Sequence, residues 1–88
     1  MSEEKAWLDK ELLMLIRIPR ESLPELSKLL ERPLDDVERK YKRIQKIFRK
    51  LYKAKAKKYL KMGYGEDEAF EIVAFKEEID IKRIRARA

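Results

Sequence analysis

The feature that most constrains the fold of this chain is the apolar periodicity between Val37 and Tyr59. At 3.6 residues per turn, the apolar and aromatic side chains of this stretch fall within about 100° of arc. They are Val37, Tyr41, Ile44, Phe48, Leu51, Tyr52 and Tyr59. No proline or glycine interrupts the pattern before residues 62–65. We therefore predict one amphipathic helix of nearly thirty residues, roughly 40 Å long at 1.5 Å per residue.

A first helix is predicted near the start of the chain, over about residues 3–17. Ser2 is expected to cap it, and Asp9 is an alternative, later start. Its apolar stripe repeats at helical spacing and consists of Trp7, Leu8, Leu12, Leu15 and Ile16. Pro19 ends this helix, because the residue before a proline is pushed away from helical geometry.

A second helix is predicted to begin after Ser22. Ser22 and Glu25 match the capping-box pattern, in which a cap serine precedes a glutamate by three residues. Pro24 between them is tolerated in the first turn of a helix. The expected buried face consists of Leu23, Leu26, Leu29 and Leu30.

Two turns bracket the long helix. Residues 31–33 form the first, with Pro33 placed where a helix can start. Asp35 and Asp36 then fall in the first helical turn, where we expect them to stabilise the helix dipole and not to bind a metal. At the other end, the two glycines around Tyr64 provide a helix stop and a reversal.

A fourth helix is expected to fold back along the long one as a helical hairpin. It opens on three acids at residues 66–68, and its apolar side chains are Ala69, Ile72, Val73, Phe75 and Ile79. Residues 79–88 alternate only in part, so we predict that the helix continues into a loose end. The positive charge of this tail comes from Lys82, Arg83, Arg85 and Arg87.

These elements together predict an all-α fold in a single domain over residues 1–88. Residues 3–44 are expected to form a three-helix helix-turn-helix unit with a long third helix. Residues 45–88 are expected to form a helical-hairpin extension with a basic C-terminal tail. A hydrophobic content of 44% is enough for a modest core in a chain of this length.

The net charge of +6 comes entirely from the middle of the chain. Residues 39–65 hold twelve Lys or Arg and no acid, whereas residues 1–38 carry a net charge of −4 and residues 66–88 one of −2. A patch of a single sign focuses electrostatic potential and attracts a polyanion. Solvated helices usually interleave Glu with Lys, so this pattern favours a bound polyanion over a merely solvated face.

The composition argues against several functions. The chain has no Cys and no His, which removes thiol chemistry, the usual general base and the commonest metal ligand. We therefore expect no enzyme activity, no cofactor or metal and no small-molecule substrate. The longest apolar run, residues 12–16, is far too short to span a membrane, so we expect a cytoplasmic protein associated with the nucleoid.

The scarcity of thermolabile side chains is a further compositional feature. Asn and Thr are absent and Gln occurs once, while 45% of the residues are charged. This bias is typical of hyperthermophile proteins. We therefore predict a source in a very hot environment, an archaeon or an archaeal virus.

The candidate nucleic-acid site is the basic face of the long helix. Counter-ion release makes phosphate binding by such a face strong and salt-sensitive. The expected phosphate contacts are Arg39, Lys40, Lys42, Arg43, Lys46, Arg49, Lys50 and Lys53. The aromatic side chains at positions 41, 48, 52 and 59 share the apolar face, so we expect core packing for them, whereas Tyr64 is a candidate for base stacking.

Residues 7–44 resemble a Myb/SANT-like domain. That family has three helices, large core residues at regular spacing, an acid after the first Trp, and an Arg-(Thr/Ser/Pro)-x-x-x-Val turn into the third helix. The matching positions here are Trp7, Glu11, Arg32, Pro33, Val37 and Tyr41, and Leu23 stands where the second aromatic residue usually lies. The resemblance implies a helix-turn-helix fold with DNA or protein binding.

One departure from the family pattern moves the expected contact surface. Asp35, Asp36 and Glu38 occupy the front of the third helix, where DNA-binding members often present neutral or basic residues. We therefore expect DNA contacts from Arg39 onward, with phosphate binding favoured over base reading.

The expected function is duplex DNA binding as a transcription regulator or a nucleoid or repeat-binding factor. A homodimer is a reasonable form, because helix-turn-helix proteins commonly pair over two half-sites. Two alternatives stay open at this point. One is a protein-interaction module of SANT type that uses the acidic start of the third helix, and the other is RNA binding by the basic helix.

Overall fold

The structure, a computed structural model, describes residues 6–88, and the regular elements within this range are helices. This confirms the predicted all-α class. The six α-helices are α1 (Asp9–Arg17), α2 (Leu23–Leu30), α3 (Leu34–Leu51), α4 (Lys53–Lys61), α5 (Glu66–Lys76) and α6 (Ile81–Arg87). One further turn of 3-10 helix, Arg20–Ser22, precedes α2.

Helix α1 begins at Asp9, the later of the two predicted starts. The predicted cap at Ser2 and the earlier start at residue 3 lie outside the described residues. Leu8 occupies the cap position, and its backbone N–H donates to Oε1 of Glu11 over 2.7 Å. The Glu11 carboxylate therefore satisfies one of the free N–H groups that every helix start leaves.

Helix α2 forms as predicted, but the predicted capping box at Ser22 is wrong. The backbone at Ser22 belongs to the 3-10 turn, with φ −92° and ψ 2°, and its side chain makes no capping hydrogen bond. Leu23 and Leu26 are buried as expected, whereas Leu29 is 70% exposed. By helical spacing, Leu29 lies about 120° around α2 from Leu23, at the edge of the predicted face.

The prediction of one helix of nearly thirty residues is wrong, because the helix breaks at Tyr52. Helix α3 ends at Leu51 and α4 begins at Lys53. The torsion angles of Tyr52, φ −107° and ψ 17°, leave the helical region. Its N–H still donates to the Phe48 carbonyl and its carbonyl still accepts from Ala56, so the interruption is confined to a single residue.

Tertiary contacts of the Tyr52 side chain explain this break. Its ring packs against the Phe48 ring with centroids 5.2 Å apart, and only 7% of the residue is exposed. Its hydroxyl accepts a hydrogen bond from the backbone N–H of Asp80 over 2.7 Å. Tyr52 thus holds the segment before α6 against the end of α3.

The predicted helical hairpin is formed by α4 and α5, which pack against each other. Gly63 makes the reversal with φ at 101°, a backbone conformation that favours glycine. Glu66, Asp67 and Glu68 lie in the first turn of α5, as expected. Phe75, which was expected to be part of the apolar face, is 61% exposed.

The C-terminal residues correct the prediction of a loose tail. Glu77 ends α5, and residues 81–87 form a separate helix, α6. Asp80 caps α6 by accepting a hydrogen bond from the Arg83 N–H over 3.2 Å. Ile84 has no exposed surface, and α6 packs on both α1 and α3. Ile84 thus docks this short helix on the core, with half-buried Ile81 beside it.

The core is one cluster to which each of the six α-helices contributes. Helices α1 and α2 both pack on α3, while α5 contacts α1 as well as α4. Leu15, Val37, Ile44 and Val73 are completely buried. Within residues 6–88, no helix combines the length and apolarity that crossing a membrane requires.

Candidate nucleic-acid interface

The exposed face of α3 carries the candidate site. Burial of Val37 and Ile44 fixes which side of the helix faces the core. The residues within about 100° of arc on the opposite side include five basic ones, all exposed: Arg39, Lys42, Arg43, Lys46 and Lys50. We call this set the α3 basic stripe. The core contacts therefore orient it toward solvent without any contribution from the stripe itself.

The α3 basic stripe is poorly neutralised by acids. Arg39 lies 3.9 Å from a carboxylate oxygen of Asp36, but three quarters of its side chain is exposed. No other member forms an ion pair with a residue in the described part of the chain. Exposed pairs contribute little even where they form. The positive charge of the stripe is thus available to an external anion.

Two of the predicted site residues lie at the edges of this face. Arg49 is half-buried, and its guanidinium lies 3.0 Å from a carboxylate oxygen of Asp67. The same guanidinium lies over the Phe70 ring, 5.0 Å from its centroid. Lys40 is half-buried near the core side of α3. Arg49 therefore links α3 to α5 before any ligand is present.

The eighth predicted residue, Lys53, lies on α4 because of the break at Tyr52. It remains exposed, and exposed lysines continue along α4 at helical spacing at positions 57 and 61. Helix α4 contains no acid, and within the range that the structure covers its one ion pair joins Lys55 to Glu77 over 4.0 Å. The basic surface therefore continues past the break.

Helix α6 brings further basic residues to the edge of the α3 basic stripe. The Arg43 guanidinium donates a hydrogen bond to the Arg87 carbonyl over 3.2 Å. The sequence indicated the charge of this segment but gave no sign of its position, because a contact between residues 44 positions apart leaves no local pattern. Lys82, Arg83 and Arg87 are exposed and form no ion pair with a described residue.

The opposite edge of the stripe is acidic. Arg49 holds Asp67, in the first turn of α5, close to this side of α3. Glu66, Glu68 and Glu71 extend from the same end of α5 and are exposed. The electrostatic potential around α3 is thus asymmetric, with cations toward α6 and anions toward α5. A polyanion is expected to favour the α6 side.

The aromatic residues of α3 belong to the core side and not to the basic face. Phe48 and Tyr52 are buried, and Phe48 meets Phe70 edge-on at 6.0 Å between ring centroids. Tyr41 lines a groove of about 510 Å³ between the end of α1, α3 and α5. Burial raises the pKa of the Tyr41 hydroxyl. Tyr64 is 44% exposed and lies edge-on to Tyr59 at 6.4 Å.

Three of the residues that carry the Myb/SANT resemblance, Trp7, Glu11 and Arg32, are in contact through Arg32. The Arg32 guanidinium donates to both carboxylate oxygens of Glu11, at 3.0 and 3.2 Å. It also lies 4.0 Å from the centroid of the Trp7 ring. Burial alone raises the pKa of Glu11, but the hydrogen bonds from Arg32 and the Leu8 N–H outweigh this effect and lower the pKa below its ordinary value.

The described residues contain no cluster of three or more acidic side chains that could hold a metal ion. Comparisons with protein-family models, curated proteins and solved structures found no significant match to this chain. The Myb/SANT resemblance therefore rests on the residues of this chain alone.

Proposed function

We propose that this protein binds duplex DNA through the α3 basic stripe. The observation that carries the proposal is the exposure of five Lys and Arg side chains on one helix face, with a single long ion pair among them. Each bound phosphate releases condensed counter-ions from the DNA, which supplies most of the binding free energy. A role as a transcription regulator or a nucleoid or repeat-binding factor fits this mode.

The packing around α3 supports a helix-turn-helix arrangement of Myb/SANT type. Helices α1 and α2 pack on the buried side of α3, so its other side is left open along its length. The turn between α2 and α3 contains Glu31 in the left-handed region, with φ at 55°. Arg32 follows it and ties the turn to α1 through Glu11. In the proposed mode α3 acts as the DNA-contacting helix of such a unit.

The start of α3 favours phosphate binding over base reading. Asp35 is exposed and Asp36 half-buried in the first helical turn, and a phosphate placed there would meet like charge. The middle of the helix, from Arg39 to Lys50, presents only basic and neutral side chains on the exposed face. Binding is therefore expected to depend more on salt than on DNA sequence.

Charge reversal in the middle of the stripe tests the proposal. The variant Lys42→Glu/Lys46→Glu should bind a random duplex more than tenfold more weakly, because two phosphate contacts become repulsions. For the unaltered protein, about six phosphate contacts give a slope near −5 for log K against log salt, and each lost contact reduces it by about 0.9. Fluorescence anisotropy at two salt concentrations measures both quantities.

A matched control separates position from net charge. The variant Lys28→Glu/Lys76→Glu changes the net charge by the same amount at two exposed residues of α2 and α5. It should bind almost as tightly as the unaltered protein. Equal losses for the two variants, or an affinity that does not change with salt, would contradict the proposal. If structured RNA displaces the bound duplex at a lower concentration than competing duplex DNA does, the preferred ligand of the stripe is RNA.

A further inference from the structure

We propose that α6 is a second phosphate-binding element, which lies beside the α3 basic stripe and makes the surface selective for duplex over single-stranded nucleic acid. This inference rests on the proposed function and specifies its substrate class. It assigns contacts to Lys82, Arg83 and Arg87.

Helix α6 has a buried apolar side and an exposed basic side. Ile84 is completely buried and Ile81 is half-buried, so these two define the inner face. Four of the seven residues of the helix are basic and none is acidic. Lys82 and Arg83 fall on the outer side, Arg87 lies in the last turn beside Ile84, and all three are exposed. Together they form a short cationic row along the exposed surface of α6.

Helix α6 is held in place at three points before any ligand binds. At its start, the Asp80 N–H donates to the Tyr52 hydroxyl over 2.7 Å. In its middle, Arg85 pairs with Asp9 over 2.7 Å and donates to the Trp7 carbonyl. At its end, Arg43 donates to the Arg87 carbonyl. A segment that is already ordered loses little conformational entropy on binding, so its charges contribute fully to affinity.

The hydrogen bond from Arg43 to Arg87 places the two cationic rows side by side. Packed helices lie about 8–10 Å apart, while the minor and major grooves of B-DNA are about 6 and 12 Å wide. The distance between two packed helices is thus of the same order as a groove width, so each row can contact one of the two phosphate backbones of a duplex. A single strand offers one backbone, so it engages one row at a time.

Charge reversal in α6 tests this inference. The variant Arg83→Glu/Arg87→Glu should bind duplex DNA at least tenfold more weakly, with the salt slope reduced by about 1.8 for two lost contacts. Its affinity for a single strand of the same sequence should change less than threefold. Fluorescence anisotropy at two salt concentrations measures the affinity of the variant for a random duplex and for one of its single strands.

The control is again Lys28→Glu/Lys76→Glu, which matches the charge change outside both rows. Thermal unfolding followed by circular dichroism checks that each variant keeps the helical fold. If the variant does not fold, Arg83→Gln/Arg87→Gln replaces it, with half the charge change and a correspondingly smaller expected loss.

The outcomes separate the two proposals. The role of α6 is overturned if Lys42→Glu/Lys46→Glu loses duplex binding while Arg83→Glu/Arg87→Glu binds as tightly as the control. The proposed function is then left intact. Equal losses for duplex and single strand in the α6 variant overturn the selectivity. Binding that survives reversal of the α3 basic stripe overturns the proposed function itself.

Discussion

Arg32 joins three parts of the molecule through one guanidinium group. It bonds both carboxylate oxygens of Glu11, donates to the Ala6 carbonyl over 2.9 Å, and lies over the Trp7 ring. The side chains of the ion pair are only 8% and 9% exposed. A pair buried to this extent is costly to break, because removal of one partner leaves an uncompensated charge.

Neutralisation of Glu11 is therefore expected to destabilise the fold. Glu11→Gln should lower the free energy of unfolding at neutral pH by about 3 kcal/mol, or the thermal midpoint by roughly 15 °C for a domain of this size. Because the pKa of Glu11 is lowered in the folded state, its stabilising contribution is present above the ordinary pKa of 4.5 and is lost as the pH falls through the lowered pKa. Urea unfolding at several pH values measures this.

Glu25 provides the matched control for this prediction. It is an exposed glutamate of α2 with no ion pair to a described residue, so Glu25→Gln should change stability by less than about 0.5 kcal/mol. The gap in stability between Glu11→Gln and the unaltered protein should narrow in acid. A gap that is constant with pH would show that the charge of Glu11 has no stabilising role.

The burial or exposure of an individual side chain was predictable from the sequence where its position on a helix determines it. The core role of Val37 and the exposure of Lys46 both follow from helical spacing, and the structure confirms both. Arg49 shows the limit of this reasoning. Its position on the helix places it near the basic face, but its partners Asp67 and Phe70 lie on α5, and no local pattern reveals them.

At the scale of elements, the break at Tyr52 is the feature that local sequence could not show. Helices are usually interrupted at proline or glycine, and neither is near Tyr52. The Tyr52 hydroxyl instead accepts a hydrogen bond from the N–H of Asp80, 28 residues away, a contact that leaves no local pattern. The packed position of α6 escaped prediction for the same reason, since its contacts are to α1 and α3.

The glycine turn between α4 and α5, in contrast, was predictable and supports a sharp test. Gly63→Ala should destabilise the protein by about 1 kcal/mol, because a side chain is strained at φ 101°. Nothing lies within 4 Å of an added Cβ at this position, so the cost is purely conformational. Chemical denaturation of the variant measures it.

Gly65 is the internal control for that substitution. Its φ of −70° suits any residue, and an added Cβ would meet only a carboxylate oxygen of Glu68 at 3.4 Å. Gly65 is the cap residue of α5, where glycine is preferred over alanine, and this cost offsets the entropy gain of the substitution, so Gly65→Ala should change stability by less than about 0.5 kcal/mol. If the two variants were equally destabilised, the strain at Gly63 would not be the cause.

At the scale of the whole molecule, the helices segregate charge as well as burying one core. The structure places cations on α3, α4 and α6, and acids at the start of α5. The sequence predicted the basic block because all its members are close in the chain. The width of the basic surface depends on α6, whose position only the tertiary structure reveals. The molecule measures 48 × 26 × 17 Å, so this surface extends along an elongated body.

The α3 basic stripe has a further consequence for the free protein. Lys42, Lys46 and Lys50 follow one another at intervals of four residues, and each like-charged pair at this spacing destabilises a helix by about 0.2–0.5 kcal/mol. Dissolved ions screen this repulsion, with a Debye length that falls from about 30 Å at 0.01 M to about 3 Å at 1 M salt. Salt should therefore raise the melting temperature while it weakens DNA binding. In dilute buffer, bound DNA should reduce the same repulsion between the lysines, and it should therefore raise the melting temperature of the protein.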